Sequence, residues 1–182
     1  MHSIKNKPAS SHLPMRGFTL VELIVTVAIA GILLLVGVPS LLRLISGSLI
    51  TSYSDALTGS FALARTQAIV EKSSVTICKS TDLVSCDTAA NWSDGWIVFT
   101  DANQNQLLDG TDIIIRVHES LTQTGLTYNN GDYLQYGYKG DLISGAGSFT
   151  FCPSDNDTDR AQGLIIAATG RVRTSTGPFT CP

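Results

Sequence analysis

Residues 23–42 run for twenty positions without a charged side chain. About twenty apolar residues is the length a helix needs to cross a bilayer, so this segment is expected to be a membrane helix. Glu22 stands directly before it. A charge at the centre of a membrane costs at least about 2.5–3.5 kcal/mol, which makes an acid here a functional feature by default. A buried carboxylate is tolerable when it meets a partner charge. Ahead of Glu22, residues 1–17 carry Lys5, Lys7 and Arg16 and no acid. Positive charge before the span predicts a cytoplasmic N-terminus. A secretory signal peptide has a shorter apolar core with its small-residue cleavage site behind it. The candidate site here, Gly17 before Phe18, lies in front of the apolar run, so cleavage would leave the helix on the mature protein.

The full chain of 182 residues has room for one such helix and one globular domain of ordinary size. Beyond Pro39, Leu42, Ile45, Leu49, Tyr53, Leu57, Phe61, Ala64 and Ala68 recur at steps of three and four. That spacing predicts a continuing helix with an apolar stripe, ending near residues 71–74. Pro39 predicts a kink or local unwinding. Seven short segments rich in β-branched and aromatic residues follow: 75–79, 95–100, 112–118, 133–138, 148–152, 163–168 and 171–174. Gly, Asn and Asp separate them, so they read as strands. A long N-terminal helix packed on antiparallel β-sheets is an α+β fold.

Without the basic leader, nine Lys and Arg face fifteen Asp and Glu, a net charge of −6. A surface of that sign repels nucleic acid on average, so any such binding must be local. Cys78, Cys86, Cys152 and Cys181 all follow the membrane run, and an even count in an exported domain reads as disulfides. Counting leaves three pairings open; Cys78–Cys86 as a local loop and Cys152–Cys181 as a C-terminal staple are favoured. No Cys-x2-Cys pair or nearby histidine supports zinc, and no metal or other cofactor is expected. Residues 101–112, DANQNQLLDGTD, place Asp101, Asn103, Asn105, Asp109 and Asp112 much as a calcium loop does. Gln106 replaces the glycine of the sharp turn and the flanks read as strands, so a polar hairpin turn is the preferred reading. No catalytic set is apparent. His118 lies in strand-like sequence, and no nucleophile elbow, P-loop or dinucleotide fingerprint occurs, so an enzyme is not expected.

Residues 163–177, GLIIAATGRVRTSTG, read as a hairpin that sets Arg171 and Arg173 on one face and Val172 on the other. Two strand rises separate the arginines by roughly 7 Å, a spacing suited to adjacent phosphates, and a guanidinium fork suits phosphate. No acid follows Asp159, so Arg160, Arg171 and Arg173 form a basic island after Asp141, Asp155, Asp157 and Asp159. By charge alone, two solvated arginines blocking an edge strand are the simpler reading.

The stretch Gly17-Phe18-Thr19-Leu20-Val21-Glu22-Leu23 resembles the class III signal of type IV pilins and type II secretion pseudopilins. The resemblance implies that a prepilin peptidase cuts between Gly17 and Phe18 and methylates the Phe18 amine. Glu22 would then pair with that ammonium on a neighbouring subunit as pilins pack into a filament. It implies a leader over residues 1–17, a transmembrane and assembly segment over 18–42, and a periplasmic domain over 43–182. The protein would sit in the bacterial inner membrane before joining a pilus or pseudopilus. The long helix, the segment WIVFTDAN at 96–103 and the strand with Arg116 are similar to the FimT/FimU/pseudopilin-H branch of minor pilins. Gly170-Arg171-Val172-Arg173 resembles the Gly-Arg-x-Arg motif of the FimT group, which binds DNA during natural transformation. That likeness assigns backbone contacts with non-specific DNA to Arg171 and Arg173, with Gly170 keeping the turn tight. The alternative is a structural minor pilin or pseudopilin that primes or caps its filament.

Intact-mass measurement of protein from its native membrane is expected to give a chain starting at Phe18 with one added methyl. Glu22→Ala should be cut normally and assemble poorly. Only unprocessed chain in cells containing the peptidase would contradict the processing scheme.

Overall fold

The computed structural model describes residues 18–175 and 177–181. The chain divides into two units, Met1–Leu41 and Leu42–Pro182. Helix α1 (Leu20–Glu71) begins behind Thr19, whose hydroxyl oxygen accepts the Glu22 backbone N–H at 3.2 Å. In the first unit its apolar side chains are exposed, and it is long and apolar enough to cross a membrane. The helix continues without a break through Pro39, where the sequence allowed local unwinding. The basic leader and Gly17 lie outside the described residues.

In the second unit α1 is followed by β1 (Val75–Lys79), β2 (Trp96–Thr100), β3 (Ile114–His118), β4 (Thr124–Tyr128) and β5 (Tyr133–Tyr136). Then come β6 (Leu142–Ser144), β7 (Gly147–Pro153), β8 (Gln162–Ile166) and β9 (Val172–Ser175). One sheet has the order β3-β2-β1-β5-β6 and the other β4-β7-β8-β9, with every pairing antiparallel. The expected α+β architecture is present. Two strands, β4 and β6, were not expected from the sequence, and β5 stops at Tyr136 rather than 138.

One core gathers Leu57, Phe61, Ala64 and Ala68 of α1, Ile77, Trp96 and Val98 of the first sheet, and Phe149, Phe151 and Leu164 of the second. The helix thus closes the inner faces of both sheets, and its small Ala64 and Ala68 admit close approach. The buried stripe starts at Ile50 and Ser54, one residue later than the expected Leu49 and Tyr53, and agrees from Leu57 onwards. Of its polar members, Ser60 is bonded on both sides: its Oγ accepts the Trp96 indole N–H at 3.1 Å and donates to the Ala56 carbonyl at 3.0 Å. Strand β1 is buried along its whole length because the first sheet has a second core on its other face. There Cys78, Ile97 and Phe99 are covered by Leu83, Cys86, Leu108 and Ile114.

The structure joins Cys78 to Cys86 and Cys152 to Cys181, with Cα separations of 5.6 and 5.7 Å. Inside the first loop, Asp82 accepts the backbone N–H groups of Val84 and Ser85 and the Ser85 hydroxyl. These bonds, the Ser85 hydroxyl first, hold its carboxyl far below the usual carboxylate range. The second bridge ties the C-terminal segment to β7, and Phe179 lies over Gly163, where a Cβ would stand 2.6 Å from its ring.

Replacing Cys152 and Cys181 by serine is expected to cost about 2–5 kcal/mol in denaturant unfolding. The loss should exceed that for Cys78 and Cys86 by about 1 kcal/mol, since the sequence separations are 29 and 8.

Candidate nucleic-acid interface

Strands β8 and β9 form the expected hairpin, with Ile166 opposite Val172, Ile165 opposite Arg173 and Leu164 opposite Thr174. Its turn is closed by Ala167 N–H to Arg171 O at 3.0 Å and Gly170 N–H to Ala167 O at 2.8 Å. Val172 packs against the main core while Arg171 and Arg173 are exposed, so the alternation sends both guanidiniums outward. Among the described residues, no hydrogen bond or ion pair engages either one.

Gly170 has a reason for being glycine beyond the tight turn. Its φ is +74°, and a Cβ there would stand 2.2 Å from the Gly140 carbonyl oxygen and 2.9 Å from the Tyr136 ring. The β8–β9 turn therefore rests on residues 137–141, the turn between β5 and β6. Leu142 N–H donates to Ala168 O at 2.8 Å and the Tyr136 hydroxyl to Gly170 O at 3.3 Å. Burial raises the Tyr136 pKa, which keeps that hydroxyl a donor. From α1, Arg65 Nη2 donates to Thr169 O at 3.4 Å. Neither Arg65 nor residues 137–141 were expected here; the sequence gives no pairing between segments so far apart.

Arg160 does not belong to the basic island. Its side chain is 17 % exposed, with Nε 3.0 Å from Asp157 Oδ2, Nη2 on Asp155, and Nη1 2.5 Å from Ser46 Oγ. Asp157 and then Asp155 raise its pKa, and its bonds pull that of Asp155 down. A guanidinium so neutralised is not offered to phosphate, which leaves Arg171 and Arg173 as the island. Arg116 belongs to β3, an edge strand of the other sheet, with Nη1 against Gly59 of α1.

Residues 101–112 are organised as a turn about a buried anchor. Asp101 Oδ2 accepts Thr76 Oγ1 at 2.7 Å, Gln135 Nε2 at 2.7 Å and Gln106 N–H at 3.0 Å. Asn103 and Asn105 accept backbone N–H groups through their amide oxygens and donate their amides to Asp109 Oδ2 at 3.0 and 2.8 Å. Those amides, Asn103 first, lower the Asp109 pKa. The side-chain oxygens of Asn103 and Asn105 and one oxygen each of Asp109 and Asp112 thus accept hydrogen bonds within the turn. His118 stacks on Trp96 with ring centroids 3.9 Å apart, and its Nδ1 lies 2.8 Å from the Glu119 carbonyl.

Arg171→Gln and Arg173→Gln should leave the melting temperature unchanged, because both side chains are exposed and neither is hydrogen-bonded or ion-paired to a described residue. Gly170→Ala should lower it, since strain at positive φ and the Gly140 contact act together. An unchanged melting temperature for Gly170→Ala would contradict the close packing of the two turns.

The family model described as Type II transport protein GspH matches residues 54–170. That for the prokaryotic N-terminal methylation motif matches residues 14–38. No curated protein sequence matches the chain. Among solved structures, the fold is similar to the type IV minor pilin FimU of Pseudomonas aeruginosa, at 17 % identity and a TM-score of 0.56. That alignment covers 73 % of this chain and 95 % of FimU. The minor pseudopilin EpsH of the Vibrio cholerae type 2 secretion system is similar at 10 % identity and a TM-score of 0.51, over 69 % of this chain and 95 % of EpsH.

Proposed function

Because the chain belongs to the GspH family of type II transport proteins, we propose that it is a minor pilin whose β8–β9 hairpin binds DNA non-specifically during natural transformation. The observation that carries this reading is the pair of exposed guanidiniums, Arg171 and Arg173, unengaged by other described residues on a hairpin whose turn packs against residues 137–141. Phosphate contacts hold a nucleic acid without reading its bases, so no sequence preference is expected. The net acidity of the chain keeps single-subunit affinity low, and several copies in a filament would add avidity.

Processing follows the same reading. Prepilin peptidase cleaves between Gly17 and Phe18 and methylates Phe18, and Glu22 receives the new ammonium of a neighbouring pilin. The match of residues 14–38 to the methylation motif supports these roles. The protein then moves from the inner membrane, where its periplasmic domain is exposed, into a filament with other pilins. It is not an enzyme on this reading. The second reading, a structural minor pilin or type II secretion pseudopilin that primes or caps the filament, is favoured by the fold shared with FimU and EpsH.

Duplex-binding measurements against salt separate the two. Each phosphate neutralised contributes a slope of about −0.9 in log affinity against log salt. Arg171→Gln and Arg173→Gln should each weaken binding and flatten that slope by about one such increment. Arg116→Gln should do less. In cells the double variant should lose DNA uptake and keep its pili. Wild-type binding by the double variant, or joint loss of pili and uptake, would favour the structural subunit.

A further inference from the structure

We infer that the turn at residues 137–141 is a second half of this surface: Lys139 is a third phosphate-binding cation and Tyr138 seats an unpaired base, so single-stranded DNA is preferred over duplex. The inference rests on the DNA-binding reading of the β8–β9 hairpin. Lys139 and Arg171 are each one Cα step, about 3.8 Å, from the Gly140–Gly170 contact. A single backbone passing over one turn therefore passes over the other.

The turn presents its polar and aromatic groups outward because its glycines are held from beneath. Gly140 N–H donates to Gly137 O at 2.8 Å and Gly137 N–H to Asp141 O at 2.9 Å. A Cβ on Gly140 would stand 2.8 Å from Ile69 Cδ1 and 3.1 Å from Arg65 Nε, and one on Gly137 would stand 3.1 Å from Ile143 Cγ1. Both glycines are buried, while Lys139 and Tyr138 project from between them, the tyrosine 56 % exposed. Lys139 Nζ lies 5.5 Å from the Tyr138 ring centroid, so charge and aromatic surface are presented together.

That pairing selects a strand type. Bases in a duplex hide their faces against their neighbours, whereas an unpaired base stacks on an exposed ring whatever its identity. Exposed Asp141 closes the same turn and opposes phosphate, which limits affinity for both forms.

The test uses the full chain in neutral detergent with oligothymidylate and a duplex of equal length. Wild type should bind the single strand more tightly at equal salt. Tyr138→Ala should weaken single-strand binding about five-fold or more and leave duplex binding unchanged, with Tyr138→Phe behaving as wild type. Lys139→Gln should weaken both and flatten the salt slope by about 0.7 on the single strand and 0.9 on duplex. Asp141→Asn should strengthen both. Equal binding of both forms by wild type, or no effect of Tyr138→Ala and Lys139→Gln, would overturn the inference. If Arg171→Gln/Arg173→Gln abolishes binding in that case, the hairpin reading stands without it. Absence of all binding by wild type would remove both.

Discussion

Burial of one face of α1 against two sheets at once is the contact on which the rest of the second unit depends. Leu57, Phe61, Ala64 and Ala68 meet Ile77, Trp96 and Val98 from one sheet and Phe149, Phe151 and Leu164 from the other. Neither sheet covers its own inner face, and burying aliphatic and aromatic side chains of this size contributes about 1.5–3 kcal/mol each. The helix also fixes the sheets relative to each other. The β5–β6 turn of one sheet and the β8–β9 turn of the other come into contact over Arg65 and Ile69, and no local signal within either hairpin would bring them there.

The second core explains why the first sheet is stable with loops rather than a helix on its outer face. The loop bridged by Cys78–Cys86 and the turn built on Asp101 supply Leu83, Cys86 and Leu108 over Ile97 and Phe99. Two charged groups beneath them are compensated rather than avoided. Lys79, almost fully buried, reaches Asp132 at 2.6 Å and the Thr88 carbonyl at 3.0 Å. Asp101 is held by four donors, its Oδ1 accepting Asn105 N–H at 3.1 Å. A buried charge without such partners would be strongly destabilising.

Much of this was legible in the sequence, for physical reasons that differ by element. The long helix announces itself because its apolar residues recur at steps of three and four, and strands β1, β2 and β7 because β-branched and aromatic residues are concentrated in them. Strand β4 does not: Gly125 and two threonines leave only Leu126 and Tyr128 as apolar signal, and its pairing with β7 is what makes it a strand. Strand β6 is three residues long, too short to carry a period. The hairpin arginines were legible because alternation alone decides their direction. Arg160 was misread because its neutralisation requires Asp155, Asp157 and Ser46 to converge, and the last lies 114 residues away. Proximity in the chain to Arg171 said nothing about that. The contribution of residues 137–141 was hidden for the same reason.

The bridge from Cys152 to Cys181 has a mechanical consequence. Strand β9 lies at an edge of its sheet, and an edge strand pulled at its tip would ordinarily peel away one hydrogen bond at a time. Here the chain beyond β9 runs past Phe179 to a covalent anchor on β7, two strands inward. Tension taken up at Arg171 and Arg173 has a continuous covalent route along β9 into the interior of the sheet. A load on the hairpin can break the hydrogen bonds of β9, yet the displacement of the C-terminal segment stops at the Cys152–Cys181 bridge.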